Sequence, residues 1–384
     1  MPSPSVALLD PGLAGVAGHH LDLDLRLIAE LKRRGYATTV YSHQAISGEA
    51  ARRVSAVARL VPIFANSPYR MPALLQPDVS ERAFDPITGA IAHPLDIANR
   101  VEQELKTVSG HDWWLWPSLS SPLLLASARC SPDVPVRGYI HVEPEFGTPL
   151  GRELWRYAFT SFGPGIDLRM GVPTPELAAA YAGIFAERRA ELWPTFCGAP
   201  TIPRLRTEMR LLGFFGHQER TEKGLALIET LTGKLLCENY EVLLQNSGES
   251  WRPRQDGLLT VAGFVDDLGI PIGKCDLVIA PYNPVAYATK GSGIVWEAIA
   301  SGAVVVAPAD SSPGRLVGKF GSGVLFDEFN PTAILAAVNL ARKCFPELAA
   351  AAFAAAVNWN QGNGIAQLVD AMLPTTVRVQ QENS

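Results

Sequence analysis

Cysteine is scarce in this sequence, and the few cysteines are scattered. Five are present among 384 residues. Their number is odd, and none of them has the paired spacing of a zinc site or a disulfide framework. We therefore expect reduced, mostly buried thiols, which is the pattern of a cytosolic protein.

Long hydrophobic runs are missing as well. No apolar stretch reaches the roughly 18 residues that suggest a membrane-spanning helix, and the alanine-rich run over 348–357 is expected to form a packed helix. The N-terminus carries two prolines before a short predicted strand, so no signal peptide is expected. We predict a cytoplasmic protein without a transmembrane segment, and contact with a membrane surface stays open.

An excess of positive charge is absent too. The formal net charge is −5, whereas a nucleic-acid partner requires a basic face. No nucleic-acid partner is therefore expected, although a local basic pocket is compatible with this balance. Hydrophobic residues make up 47% of the chain, which is enough for sizeable cores, and the length predicts two domains.

The sequence does contain alternating apolar strands and amphipathic helices. The first unit is a strand over 5–9, a glycine-containing loop, a helix over 21–34 and a strand over 38–42. The rest of the first half is predicted to hold an irregular segment over 62–94, a strand over 135–140, and helices over 153–162 and 175–189. The second half is predicted to hold strands over 211–215, 241–245, 258–261, 276–280, 304–307 and 323–326, and helices over 223–231, 292–301 and 331–342.

This alternation is typical of parallel sheets covered by helices. We predict an α/β fold with two Rossmann-like, doubly wound sheets that face a central cleft, where the carboxyl ends of strands bind ligands. Three prolines between 193 and 204 place the boundary there. The predicted divisions are an N-terminal domain over 1–200, a C-terminal domain over 201–360, and a helix and tail over 361–384 that packs back on the first domain.

A glycine-rich turn that opens a helix is the most informative motif. Lys290, Gly291, Ser292 and Gly293 precede an apolar helix that carries Glu297 about one turn in. Backbone N–H groups at the start of a helix favour an anion, and a carboxylate accepts hydrogen bonds from sugar hydroxyls. The motif therefore suits a nucleotide, with a diphosphate at the helix start and a ribose at Glu297. A plain turn followed by a solvated glutamate is the alternative.

A second loop carries cationic side chains. Gly216 and His217 follow the strand over 211–215, and Arg220 and Lys223 precede the next helix. Arginine offers a planar fork and lysine a point charge, so both suit phosphate oxygens. An exposed, solvated loop is the alternative interpretation.

Two histidine-bearing segments of the first half are further candidates. Gly15, Gly18 and His19 lie in the loop before the first helix, without the spacing of a dinucleotide fingerprint. We interpret this loop as flexible backbone that approaches a phosphate or an acceptor. His141 ends a predicted strand, together with Glu143. Structural or partly exposed histidines are the alternative for both segments.

Metal ligands are not grouped in the sequence. Asp22 and Asp24 are two apart in a predicted helix, where they do not share a face, and both are expected at the surface. Asp266 and Asp267 have no companion ligands. We therefore predict no tightly bound metal and no cofactor.

With these motifs the chain resembles retaining glycosyltransferases of the GT-B fold, a broad family 4-like group that uses nucleotide-sugar donors. The resemblance covers most of the chain and is strongest over 211–308. It implies transfer of a sugar from a nucleoside diphosphate to an acceptor hydroxyl, with retention of anomeric configuration and without a metal. The acceptor (a glycan, a lipid-linked sugar or a small molecule), the nucleobase, the sugar and the oligomeric state stay open.

The resemblance also implies roles for the candidate residues. Those implied in catalysis are Arg220, Lys223 and His141. Those implied in donor binding are Glu297, Gly291, Ser292, Gly293, Lys290, Thr289, Gly216 and His217. The loop implied to approach phosphate or acceptor contains Gly15, Gly18 and His19.

Two positions depart from the family pattern. Thr289 stands where many members carry a second glutamate, eight positions before Glu297. His217 stands where a basic residue often follows the glycine, with Arg220 displaced by three. Two alternatives therefore stay open, namely a non-catalytic subunit that binds nucleotide sugars and a nucleotide-sugar 2-epimerase that needs no acceptor.

Overall fold

The computed structural model describes most of the chain. The described residues are 3–16, 19–66, 69–70, 83–84, 91–130, 132–144, 151–163, 165–185, 190–198, 203–216, 220–246 and 251–373. The candidate residues Gly18 and His217 lie outside these ranges, as does most of the segment over 62–94 that we predicted to be irregular.

The first half of the chain forms a seven-stranded sheet. Its strands and the short strands inserted among them are β1 Ser5–Asp10, β2 Ala37–His43, β3 Arg59–Phe64, β4 Tyr69–Arg70, β5 Ala83–Phe84, β6 Ile91–Ala92, β7 Trp113–Trp116, β8 Val136–Tyr139, β9 Leu168–Val172 and β10 Glu191–Leu192. The helices are α1 His20–Arg33, α2 Gly48–Ser55, α3 Pro94–Leu105, α4 Ser121–Cys130, α5 Gly151–Thr160 and α6 Pro175–Tyr181. The sheet has the order β10-β9-β8-β7-β1-β2-β3, and its neighbouring strands are parallel.

The second half forms another seven-stranded sheet. Its strands are β11 Leu211–Phe214, β12 Glu241–Gln245, β13 Arg254–Asp256, β14 Leu259–Ala262, β15 Leu277–Ile279, β16 Val304–Pro308 and β17 Gly323–Phe326. The helices are α7 Leu225–Cys237, α8 Gly269–Lys274, α9 Gly293–Ala300, α10 Ser312–Phe320, α11 Pro331–Lys343, α12 Phe345–Gly362 and α13 Ile365–Met372. The order is β13-β14-β12-β11-β15-β16-β17, and only the edge strand β13 pairs antiparallel within this described sheet. The prediction of two doubly wound sheets is confirmed.

Burial on both faces explains the composition of the central strands. Every residue of β16 is buried, and the strand consists of three valines, an alanine and a proline. Helices cover both faces of a parallel sheet, so its strands read as continuous apolar runs. The opposite side chains of β16 enter two different cores, with Val305 in one and Val304 in the other.

The last two helices connect the two halves. Helix α12 packs on α9, and α13 packs on α1. Arg34 at the end of α1 donates to the Ala366 carbonyl at 2.7 Å, and buried Arg137 of β8 donates to the Met372 carbonyl at 2.8 Å. None of the helices in the described ranges combines the length and the apolar character needed to cross a bilayer.

Several predicted boundaries were wrong. The helix predicted to reach residue 189 ends at Tyr181, and Gly183 follows with a φ of +77°, which the right-handed helix does not allow. Helices α2, α3, α4, α8 and α10 were missed. The cysteines are also more exposed than expected, because Cys237 and Cys344 lie at the surface.

Candidate functional site

The carboxyl ends of the two sheets line one cleft. Asp10 at the end of β1, His141 after β8 and Gly216 after β11 all contact the same cavity, which has a volume of about 720 Å³. The prediction that both halves present these ends to a central cleft is confirmed. The cleft therefore has one wall from each half of the chain.

The start of helix α9 forms part of the C-terminal wall. Gly291, Ser292 and Gly293 line the cleft, and the Ser292 side chain accepts a hydrogen bond from the Val295 amide at 3.4 Å. A Cβ on Gly291 would lie 2.0 Å from the Trp296 ring, so a side chain does not fit there. Among the described residues, the Gly293 amide has no acceptor. The helix start thus presents an unpaired donor and its dipole to the cleft.

Three cationic side chains, which we call the basic cluster, surround this helix start. They are Arg220, Lys223 and Lys290, and all three line the cleft. Lys223 lies over Gly216, where a Cβ would approach its Nζ to 2.6 Å. Burial, and then the charge of Arg220, lower the pKa of Lys223 to about 8. Glu222 pairs with Arg220 and offsets part of this positive charge, but the surroundings as a whole still disfavour the charged form of Lys223.

Glu297 of α9 lies at another part of the same wall. Only 6% of the residue is exposed, so it is not the solvated helix residue of the alternative interpretation. Burial raises the pKa of Glu297 to about 7. Its Oε1 is 3.5 Å from Nη1 of Arg26 on helix α1, and Arg26 also pairs with Asp22 at 3.0 Å.

Arg26 was not among the residues predicted from the sequence. Its partner Glu297 is 271 positions away along the chain, and no local pattern distinguishes Arg26 from any other solvated helix arginine. The side chain also approaches Asp267 to 3.6 Å. Arg26 therefore bridges the two walls of the cleft.

Histidines occupy the opposite wall. The His19 ring stacks on His20 at a centroid distance of 4.2 Å and lies 5.3 Å from His141. Desolvation lowers the pKa of His19 well below its usual range, and neighbouring His20, His141 and basic-cluster charges add to the effect. Burial lowers the pKa of His141 to about 4. Both rings are therefore neutral at pH 7.

Asp10 and Asp24 lie next to these histidines, and the prediction that Asp24 is at the surface was wrong. His20 Nδ1 pairs with Asp10 Oδ2 at 2.7 Å. Asp24, which we expected at the surface, is fully buried, because it follows His20 by one helical turn and shares its face. Burial and then the charge of Asp10 raise the pKa of Asp24 well above its usual range. Asp22 lines the cleft instead.

Two other candidate residues have different surroundings. The Thr289 carbonyl accepts a hydrogen bond from Thr174 of the N-terminal half at 2.9 Å, so its backbone joins the two halves. Gly15 lies in the loop between the cleft-lining residues Gly12 and Val16. Within the described ranges, no group of three or more histidine, cysteine, aspartate or glutamate side chains is placed to hold a metal ion.

No protein-family model matches the sequence, and no curated protein is similar to it. Solved structures do resemble the fold. A glycosyltransferase from Rickettsia africae is 11% identical with a TM-score of 0.64, over 98% of this chain and 100% of that one. Sucrose-phosphate synthase from Thermosynechococcus elongatus is 12% identical with a TM-score of 0.63, over 96% of each chain.

A third similar structure contains a ligand. The glycosyltransferase SsfS6 of a Streptomyces species, solved with thymidine diphosphate, is 15% identical with a TM-score of 0.55, over 96% of this chain and 99% of that one. These identities are low, and the likeness extends along the whole of each chain. The protein therefore has the two-domain GT-B fold of these glycosyltransferases.

Proposed function

We propose that the protein is a glycosyltransferase that moves a sugar from a nucleoside diphosphate to an acceptor hydroxyl. The observation that carries the proposal is the convergence of the α9 start, the basic cluster and buried Glu297 on one wall. The diphosphate lies at the α9 start among the cations, and the ribose hydroxyls donate to Glu297. The thymidine diphosphate bound to SsfS6 supports a nucleotide of this class.

The basic cluster supports departure of the diphosphate. The bond that breaks joins the anomeric carbon to a phosphate oxygen, and negative charge grows on the leaving group while the sugar becomes oxocarbenium-like. Arg220, Lys223, Lys290 and the α9 amides stabilise that charge. Removal of one such preorganised group costs about 2.7–4 kcal/mol in the transition state.

Retention of configuration and independence of metal are further parts of the proposal. His19 and His141, the two rings that line the cleft, are neutral and lie on the acceptor side. The leaving phosphate then takes the acceptor proton on the face that it vacates. Inversion would require a protein base that takes the acceptor proton, and the pair of His20 and Asp10 is the candidate. This pair lies behind His19, and His20 is only 9% exposed, so it does not reach the acceptor.

A ligand screen followed by product analysis tests the proposal. A ligand that binds only the native state raises thermal stability, by about 2.7 kcal/mol at a concentration of 100 Kd. We expect one of UDP, GDP, ADP and dTDP to raise the melting temperature selectively. NMR of the glycoside formed from the matching donor then reports the anomer. Stabilisation by none of the four nucleotides contradicts the donor site.

The two alternatives predict different behaviour of the same donor. A 2-epimerase converts the donor when no acceptor is present, and NMR of the donor alone detects the new sugar. A non-catalytic subunit binds the nucleotide sugar and leaves it unchanged with every acceptor. The scattered cysteines support a cytoplasmic location, whichever of the transferase, the epimerase and the non-catalytic subunit is correct.

A further inference from the structure

The start of helix α4 faces the cleft from the N-terminal wall. The β7–α4 loop lies beside the histidines, because the Pro117 carbonyl accepts from His141 Nε2 at 2.8 Å and the Leu119 amide donates to the Tyr139 carbonyl at 2.8 Å. Ser118, Ser120 and Ser121 line the cleft here. The donor contacts proposed above include none of them.

Several hydrogen-bond donors at this helix start have no partner among the described residues. The Ser120 Oγ atom is buried and unpaired, although Ser120 holds the position where a serine usually caps the helix. Ser121 is only 7% exposed, and within the described part of the chain its hydroxyl has no hydrogen-bond partner. The amides of Ser121 and Leu123 have no acceptor either.

The chemistry of these donors selects an anion. An amide can only donate, so a ligand must present acceptor oxygens to satisfy it. A buried donor left unpaired costs about 1–3 kcal/mol, and the helix dipole favours negative charge at this end. The first turn of α4 contains no acidic side chain that would supply this charge.

Three carboxylates on the same wall act against an anion, and one of them, Asp22, is compensated by its pairing with Arg26 at 3.0 Å. Asp10 is partly compensated, because it accepts from the Gly12 amide at 2.8 Å and pairs with His20. Glu143 also lines the cleft, and its charge repels an anion. We therefore expect weak affinity for a free inorganic anion.

We propose that the acceptor carries an anionic group, a phosphate or a carboxylate, which binds at the start of α4 while the reacting hydroxyl faces the donor. The inference rests on the proposed function, because it assigns the chemistry of the second substrate of that reaction. An anion at α4 places the rest of the acceptor beside His141 and His19.

Binding of inorganic phosphate to the full chain tests this inference. The protein is first saturated with the nucleoside diphosphate selected by the thermal screen, so that the α9 site is occupied, and phosphate is then titrated by calorimetry. Ser121→Asp places a carboxylate at the proposed anion position and repels an anion, and the melting temperature of the variant is measured first to show that it is folded. The matched control is Ser127→Ala on the same helix, whose hydroxyl bonds the Leu123 carbonyl at 2.9 Å.

We expect Ser121→Asp to weaken phosphate binding at least tenfold, and Ser127→Ala to change it by less than twofold. A parallel titration with acetate distinguishes a carboxylate site from a phosphate site, and binding of either anion that depends on Ser121 supports the inference. Binding of neither anion, or binding that Ser121→Asp leaves unchanged, overturns it.

Failure of the proposed function is seen separately, because none of the four nucleotides then raises the melting temperature in the thermal screen. In that case phosphate is titrated into the free protein of the wild type and both variants. Phosphate binding that Ser121→Asp weakens then supports the α4 site, and binding that it leaves unchanged overturns it, independently of the donor site.

Discussion

The charge of Lys223 provides the sharpest prediction about the basic cluster. Burial and Arg220 lower its pKa from 10.5 to about 8, so the folded protein disfavours the charged form when no diphosphate is bound. Lys223→Met removes the charge and keeps a side chain of similar length. We expect the variant to be more stable than the wild type at pH 7 and to lose affinity for nucleoside diphosphates.

The size of the stability change follows from the two pKa values. A difference of one pKa unit corresponds to about 1.4 kcal/mol, so the fall from 10.5 to about 8 sets an upper limit of roughly 3 kcal/mol. Lys223 is partly exposed, and solvent screening reduces the expected gain to about 1–2 kcal/mol. The pKa of Lys223 is lower in the folded protein than in the unfolded chain, so the unfolded chain binds more protons between pH 8 and 10.5. The free energy of unfolding of the wild type therefore rises over this range, and the stability advantage of Lys223→Met disappears.

Two assays measure this effect. Urea unfolding at pH 7 and at pH 9.5 gives the free energies for wild type and variant. Calorimetry of nucleotide binding at pH 8, in two buffers with different ionisation enthalpies, gives proton uptake. About half a proton should be taken up by the wild type, since a group at its pKa is half protonated, and none by Lys223→Met. The control is Lys234→Met, at an exposed position on α7.

Two results would refute this reasoning. One is a Lys223→Met variant that is less stable than the wild type at pH 7 and also binds nucleotides with wild-type affinity. The other is wild-type binding at pH 8 without proton uptake. Either result would mean that the ammonium group is solvated and does not contact the diphosphate.

Three further predictions concern the C-terminal wall. Glu297→Gln should weaken nucleotide binding about tenfold by calorimetry, through loss of a charged acceptor. It should also raise the melting temperature of the free protein at pH 8, because burial raises the pKa of Glu297 to about 7. Ser292→Ala should lower the free energy of unfolding in urea by about 1 kcal/mol, through loss of the α9 cap. Gly224→Ala, at a φ of +83° and with its Cβ 2.3 Å from the Pro281 carbonyl, should lower kcat/KM strongly because it displaces Lys223.

The sheets and the α9 motif were predictable because their signals are local. Buried parallel strands such as β16 read as short apolar runs, and glycines or prolines mark their ends. The sequence around Ser292 contains both a helix cap and the glycines that leave space in front of the helix. The position of Glu297 on α9 then follows from helical periodicity alone.

Other parts of the site depend on how separate elements meet. The contact of Arg26 with Glu297 requires both halves of the chain, and nothing near Arg26 indicates it. Asp24 looks like a surface residue because aspartate is seldom buried. Its burial follows from the packing of α1 on the first sheet, which brings it close to Asp10. Asp10 itself had a usable signal, since it directly follows a predicted strand at the carboxyl edge.

The central claim is that a nucleoside diphosphate binds between the two halves at the start of α9. A crystal structure of the protein with the nucleotide selected by the thermal screen tests it most directly. We expect phosphate oxygens within hydrogen-bond distance of the Gly293 amide and of Lys223, with the ribose at Glu297. A nucleotide bound elsewhere, with the α9 start still in contact with protein alone, would contradict it.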